Sequence, residues 1–159
     1  MNMKKWKIYS AWILFAEAVG ALSGWLTRHG MEVYKAEVLK PPLSPPEIVF
    51  PVVWTILYAL MGIGAARVFM TPPSPARSQG LRLFLIQLAF NFLWTILFFN
   101  LQHYGLAFLW LAALWVLILL MTRAFQLSDR TAARLQIPYL LWVAFAGYLN
   151  LGVFLLNRA

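Results

Sequence analysis

Five stretches of this chain, residues 8–26, 49–66, 83–101, 104–121 and 137–156, are almost unbroken runs of 18–20 apolar residues. Of 13 Lys and Arg and 5 Asp and Glu side chains, only Glu17 falls inside them. A helix needs about 20 such residues to cross the hydrocarbon of a bilayer. Lipid offers no partner for backbone N–H and C=O groups, so apolar spans of this length fold as helices. The expected architecture is an all-α integral membrane protein, a five-transmembrane-helix bundle, with residues 1–159 forming a single membrane domain. Composition agrees: 62% of residues are hydrophobic and 11% charged, against roughly 45–50% and about 25% in soluble domains. The absence of cysteine excludes a disulfide scaffold, a thiolate nucleophile and Cys-ligated metal or iron–sulfur sites.

Lys4, Lys5 and Lys7 ahead of the first run imitate the head of a signal peptide. That run is too long, contains Glu17 and lacks a clear A-x-A cleavage site, so it reads as a true span. Segment 71–79 (TPPSPARSQ) reads as a Pro-rich turn, and 101–105 is short enough to force an antiparallel pair. Segment 27–47 is the one long connection. Lys4, Lys5, Lys7, Arg67, Arg77, Arg82, Arg123, Arg130 and Arg134 fall on one side of the membrane; Arg28, Lys35, Lys40 and Arg158 fall on the other. The positive-inside rule then places the N-terminus in the cytoplasm and the 27–47 loop and C-terminus outside. Apolar helices favour a plasma membrane over an outer membrane. Basic residues scattered at span edges do not make a nucleic-acid surface.

The second span is preceded by a run that holds the chain extended, with five prolines in residues 41–51. It is either a stiff linker or a lid folded over the helix ends; in the lid reading Pro42, Pro45 and Pro46 are the rigid elements. Pro51, Trp54, Tyr58 and Gly62 share a face of span 2, Gln87, Asn91 and Trp94 a face of span 3, and Pro138, Trp142, Ala146 and Asn150 a face of span 5. Amides in lipid seek partners, so Gln87, Asn91 and Asn150 should face the interior. They serve either as interhelical glue or as the polar floor of an aromatic-walled pocket. Of eight tryptophans, Trp6, Trp25 and Trp110 suit the membrane interface, Trp12 and Trp115 are compatible with lipid, and Trp54, Trp94 and Trp142 are placed to contact a planar ligand. Glu17 is either functional or a protonated, hydrogen-bonded side chain. Its neighbours Ala16, Gly20 and Gly24 form a small-residue ladder for close helix contact, within the chain or between copies. His29 and His103 in loops are weak evidence for a metal or haem, the spans hold no lysine, and no phosphate-binding loop occurs. No metal or resident cofactor is expected.

Three blocks are similar to the translocator protein family, also called the tryptophan-rich sensory protein family and formerly the peripheral benzodiazepine receptor family. They are LKPPLSPPEIVFPVVWTILYALMG (39–62), QLAFNFLWTILFF (87–99) and PYLLWVAFAGYLN (138–150). The resemblance covers roughly residues 33–157 and is to bacterial-type members. It implies a five-helix bundle whose pocket is lidded by the 27–47 loop, porphyrins such as protoporphyrin IX and other hydrophobic ligands as partners, and a homodimer in membrane lipid. It also implies Trp54, Asn91, Trp94, Trp142, Ala146 and Asn150 as ligand-binding residues, and Tyr58, on the same face of span 2 as Trp54, completes the expected set. Leu43 and Ile48 stand where the family usually has bulkier residues. Leu151 and Leu155 follow Asn150 where animal members carry their sterol motif, which is therefore absent.

The resulting expectation is a receptor or carrier for tetrapyrroles, with Lys35 or Lys40 either available to a propionate or simply solvated. The alternatives are a light-dependent porphyrin-degrading enzyme using Trp54 and Trp142, and a ligand-sensing stress or light regulator acting through a protein partner.

Overall fold

The structure, a computed structural model, describes residues 3–158. The chain order is α1 (Met3–Leu26), α2 (Arg28–Glu37), α3 (Val49–Phe69), α4 (Pro75–Thr95), α5 (Tyr104–Ser128), α6 (Arg130–Arg134) and α7 (Ile137–Asn157). The last turn of α4 widens into a π-helical segment, Ile96–Asn100. Five helical segments, α1, α3, α4 with its π turn, α5, and α6–α7 together, are long and apolar enough to cross a membrane. The protein is a multi-pass integral membrane protein.

Helices α1, α3 and α5 run beyond the apolar stretches 8–26, 49–66 and 104–121, to Met3, Phe69 and Ser128, and two connections also differ from the sequence reading. Segment 71–79 is only partly a turn, because α4 already starts at Pro75. Ser74 is its N-cap, its hydroxyl accepting from the Arg77 N–H at 3.0 Å, and Pro75 fills a first-turn position where no N–H is needed. The 27–47 connection is not all loop either, since α2 occupies its first part. Tyr34 of α2 packs against Phe98 and Phe99, with ring centroids 5.5 and 5.4 Å away, so α2 docks on the π turn of α4. Asn100 Nδ2 reinforces that end by donating to the Leu26 carbonyl at 3.1 Å.

The extensive helix contacts are α4 with α5, α1 with α3, and α5 with α7. The α1–α3 approach is close because Gly20 faces the Tyr58 ring; a Cβ there would run into it. Thus the Ala16 and Gly20 part of the small-residue ladder is used within the chain, while Gly24 has open space beside it. Trp6 and Trp25 are exposed, but Trp12 packs edge-on to Phe84 at 5.5 Å, and Trp115 Nε1 donates to the Leu140 carbonyl at 3.0 Å. Both are half-buried rather than wholly lipid-facing.

A clasp closes the end of the bundle opposite α2. Arg67, at the end of α3, grips Asp129 through Nε–Oδ1 at 3.2 Å and Nη2–Oδ2 at 3.0 Å. The same carboxylate caps α6 by accepting from the Ala132 N–H at 2.8 Å. Burial works to raise the Asp129 pKa, but the Ala132 N–H and the Arg67 guanidinium outweigh it and hold it below the usual value. A depressed carboxylate pKa contributes stability above the unfolded-state value of about 3.9 that is lost as pH falls through the folded value. Asp129→Asn keeps a capping side chain but loses the ion pair, and should therefore lower stability by up to about 1 kcal/mol at neutral pH. Thermal melts in detergent should show the gap from the native protein closing below about pH 4.

Candidate functional site

Side chains from α3, α4 and α7 converge on one directed chain of hydrogen bonds in the bundle interior. The Tyr58 hydroxyl donates to Asn91 Oδ1 at 3.0 Å, and Asn91 Nδ2 donates to the Tyr139 hydroxyl at 2.7 Å. That hydroxyl donates onward to Gln87 Oε1 at 2.7 Å, and Gln87 Nε2 ends the chain on Met61 Sδ at 3.8 Å. Tyr58, Gln87, Asn91 and Tyr139 are all buried. Each hydroxyl and amide has a partner in the correct donor–acceptor sense, which buried polar groups require. The Trp54 ring covers this chain from one side, 5.6 Å from Tyr58 and 6.2 Å from Tyr139.

A second polar link lies between α4, α5 and α7. Trp94 Nε1 donates to Asn150 Oδ1 at 3.0 Å, and Asn150 Nδ2 donates to the Tyr104 carbonyl at 2.8 Å. Ala146, one turn before Asn150, is buried on the same side. Trp142 belongs to neither link. Its ring stands edge-on to Phe50 at 5.9 Å and tilted on Phe145 at 5.6 Å, and its Nε1 is buried without a hydrogen-bond partner.

The expected set is thus brought together in three adjoining groups: Trp54, Tyr58 and Asn91; Trp94, Ala146 and Asn150; and Trp142. A helix turns by 100° per residue, so positions eight apart have drifted by about 80°. This lets Trp142 face α3 while Asn150 faces α4 and α5. All three predicted amides face inward. Pro138, expected on the α7 stripe, is exposed, and its neighbour Tyr139 is the hub instead. The signal was present, because Tyr139, Trp142, Val143, Ala146 and Asn150 also follow helical spacing. Phe50 was likewise missed, being one of many phenylalanines in apolar runs.

The 38–48 segment lies along α7. Of its prolines Pro41 is buried, Pro45 half-buried, and Pro42 and Pro46 exposed. Lys40 Nζ is occupied by the carbonyls of Tyr34 (2.9 Å), Lys35 (3.3 Å) and Val38 (3.1 Å), and Lys35 Nζ stands 3.4 Å from Glu47 Oε2. Both lysines are therefore engaged with α2 and the 38–48 segment themselves. Glu17 is half-buried on α1 beside Ala16. Leu151 and Leu155 are exposed on the outside of α7. An open groove of about 360 Å³ is lined by His103, Tyr104 and Arg158 and so adjoins the Asn150 link, and another of about 400 Å³ lies between α1 and α4.

A sequence profile described as the TspO/MBR family matches residues 12–156. The chain belongs to the TspO/MBR family. It is 37% identical to the tryptophan-rich protein TspO of Chlorobaculum tepidum, over 88% of this chain and 89% of the relative. Similarity to protein CrtK of Rhodobacter capsulatus is 38% over 74% of each chain. The translocator protein of Bos taurus is 32% identical over 82% of this chain and 79% of its own. The three sequence blocks that carried the resemblance supply the interior of the bundle of this TspO/MBR protein: Trp54 and Tyr58 from the first, Gln87, Asn91 and Trp94 from the second, and Tyr139, Trp142 and Asn150 from the third.

Tyr139→Phe would leave both the Asn91 amide and the Gln87 carbonyl without their partner, whereas Tyr58→Phe leaves only one Asn91 lone pair. With roughly 0.6–2 kcal/mol per interhelical bond in a membrane protein, Tyr139→Phe should cost about twice as much stability as Tyr58→Phe. Equilibrium unfolding of the two variants in detergent measures the ratio.

Proposed function

We propose that this TspO/MBR protein is a membrane receptor or carrier for a planar, amphipathic tetrapyrrole, held between α3 and α7 beneath the 38–48 segment. The observation that carries the reading is the Trp142 indole: a buried N–H donor with no partner, set between Phe50 and Phe145. An unpaired buried donor costs about 1–3 kcal/mol. A ligand that stacks on the aromatic wall and offers an acceptor removes that cost and gains ring contacts as well. Trp54 supplies the opposing aromatic surface. Asn91 and Asn150, already fixed by their own hydrogen bonds, provide polar edges that need no reordering on binding.

Because Phe50 and Trp142 are in contact, a macrocycle enters by displacing the start of α3 and the segment ahead of it. This favours entry from the α2 end of the bundle. On the charge distribution that end faces outward, with the N-terminus in the cytoplasm of a bacterial cell.

Titration of the detergent-solubilised protein with protoporphyrin IX in the dark should quench tryptophan fluorescence saturably at micromolar ligand. Trp142→Phe should weaken binding about tenfold, the worth of a buried hydrogen bond with part of the ring contact. Unsaturable quenching, identical in both proteins, would mean that the porphyrin partitions into the micelle and has no site. Illumination of the same samples separates binding from light-dependent breakdown, which would show as loss of porphyrin absorbance requiring Trp54 or Trp142.

A further inference from the structure

After Glu47 the sequence holds a single acidic residue, Asp129, and its carboxylate is already taken by Arg67 and the Ala132 N–H. The cations at the two ends of the bundle then differ in what they meet. At the α2 end, Arg28 lies over the Trp25 ring and donates to the Trp25 carbonyl at 2.6 Å, Lys35 stands against Glu47, and Lys40 sits on three carbonyls. At the opposite end Arg67 is held by Asp129, and Arg77 by the Phe69 carbonyl at 2.8 Å. Arg130 and Arg134 of α6 are exposed there, with no hydrogen-bond or ion-pair partner among the described residues. The positive-inside rule accounts for the side on which these arginines stand but not for their arrangement.

Helices α6 and α7 follow one another with a single tight turn between them. There the Leu135 N–H donates to the Thr131 carbonyl at 3.1 Å and the Gln136 N–H to the Ala133 carbonyl at 3.0 Å, and both residues keep right-handed helical backbone angles. Arg130, Arg134, Ile137, Leu141 and Ala144 therefore come at i, i+4, i+7, i+11 and i+14, within about 80° of one helix face. All five are exposed, Ile137 by 46% and Leu141 by 67%. The face thus presents two guanidinium groups one turn apart, about 6 Å, and then an apolar strip about 10 Å long that runs into the hydrocarbon. The other side of the same stretch is fixed to the bundle: Ala132 and Ala133 are buried, and Gln136 Nε2 donates to the Leu60 carbonyl of α3 at 3.3 Å. The arginines are carried on a firm support.

We propose that this face of α6 and α7 is a binding site for an anionic phospholipid, its phosphodiester held between Arg130 and Arg134 and an acyl chain lying along Ile137, Leu141 and Ala144. A guanidinium offers paired N–H donors that match the two non-bridging oxygens of a phosphate, and it is less strongly hydrated than an ammonium, which suits the headgroup layer. No free carboxylate at this end competes for the pair. A free phosphate would use the arginines alone; a lipid engages both halves of the face. Because the same stretch is joined to α3 through Asp129 and Gln136, the bound lipid braces this corner of the bundle. The inference is independent of the tetrapyrrole reading.

The test titrates the full chain in detergent with dioleoylphosphatidylglycerol, dioleoylphosphatidylcholine or inorganic phosphate, reading bound lipid by native mass spectrometry and stability by thermal melts. Phosphatidylglycerol should bind saturably, about tenfold more tightly than phosphatidylcholine, and should raise the melting temperature. Arg130→Gln combined with Arg134→Gln should weaken phosphatidylglycerol about tenfold and remove that rise, leaving phosphatidylcholine unchanged. Lys5→Gln combined with Lys7→Gln removes the same charge from the same end and should alter binding less than about twofold. Equal losses in the two double variants would mean a diffuse field and would overturn the site. Inorganic phosphate giving the same thermal shift at the same concentration would overturn the lipid assignment. Arg130→Lys combined with Arg134→Lys keeps the charge and loses the paired donors, so binding should fall about threefold. Native affinity in that variant would overturn the guanidinium clamp.

Discussion

In hydrocarbon a backbone N–H or C=O without a partner costs several kcal/mol, and nearly everything in this structure follows from meeting that demand. Helices meet it internally. The stretch between α2 and α3, outside the spans, lies against α7 without helical hydrogen bonds. Proline is half of the solution, because Pro41, Pro42, Pro45 and Pro46 have no N–H to satisfy. Side chains of α7 are the other half: Asn157 takes both polar groups of Leu39, and Tyr148 takes the Pro42 carbonyl. A rigid extended segment and a helix with two well-placed polar groups thus make one surface.

The same demand shapes the interior. Two tyrosines and two amides from three helices form a chain in which every hydroxyl and amide is oriented, so α3, α4 and α7 are held at fixed separations. The aromatic residues then pack around a polar axis that cannot slide. Trp142 Nε1 stands outside this chain, a buried donor without a partner, as Ser128 Oγ and Gln136 Oε1 are buried without partners elsewhere.

The five crossings were legible because length and apolarity are summed over some twenty residues, and no tertiary contact reverses such a sum. The inward amides were legible for a related reason: each has one low-energy direction in lipid, toward other helices. Tyr139 and Phe50 were not. A tyrosine or phenylalanine in an apolar run is equally at home facing lipid, the interface or the core, and only the neighbours decide. Pro138 was placed on the inward stripe in Tyr139's stead because a one-residue change in register turns a helix by 100°, and the sequence spacing tolerated both. The start of α4 at Pro75 was readable from the Ser–Pro pair, yet apolarity drew attention to the membrane-depth part of the helix and not to its cap.

By itself, then, the sequence determined that the chain crosses the membrane five times, that its amides lie inside, and that the approach to α3 is stiff and extended. These are properties of residues against solvent, and they do not depend on which helix sits beside which. The tertiary structure alone decided which partners those groups found: Tyr139 as hub, Asn157 and Tyr148 as fastenings, Lys40 on α2 carbonyls, and Trp142 with none. Partner choice depends on helix rotation and register. A shift of one residue or a few ångströms changes every hydrogen bond while leaving hydropathy the same, so that information exists only once the helices have packed.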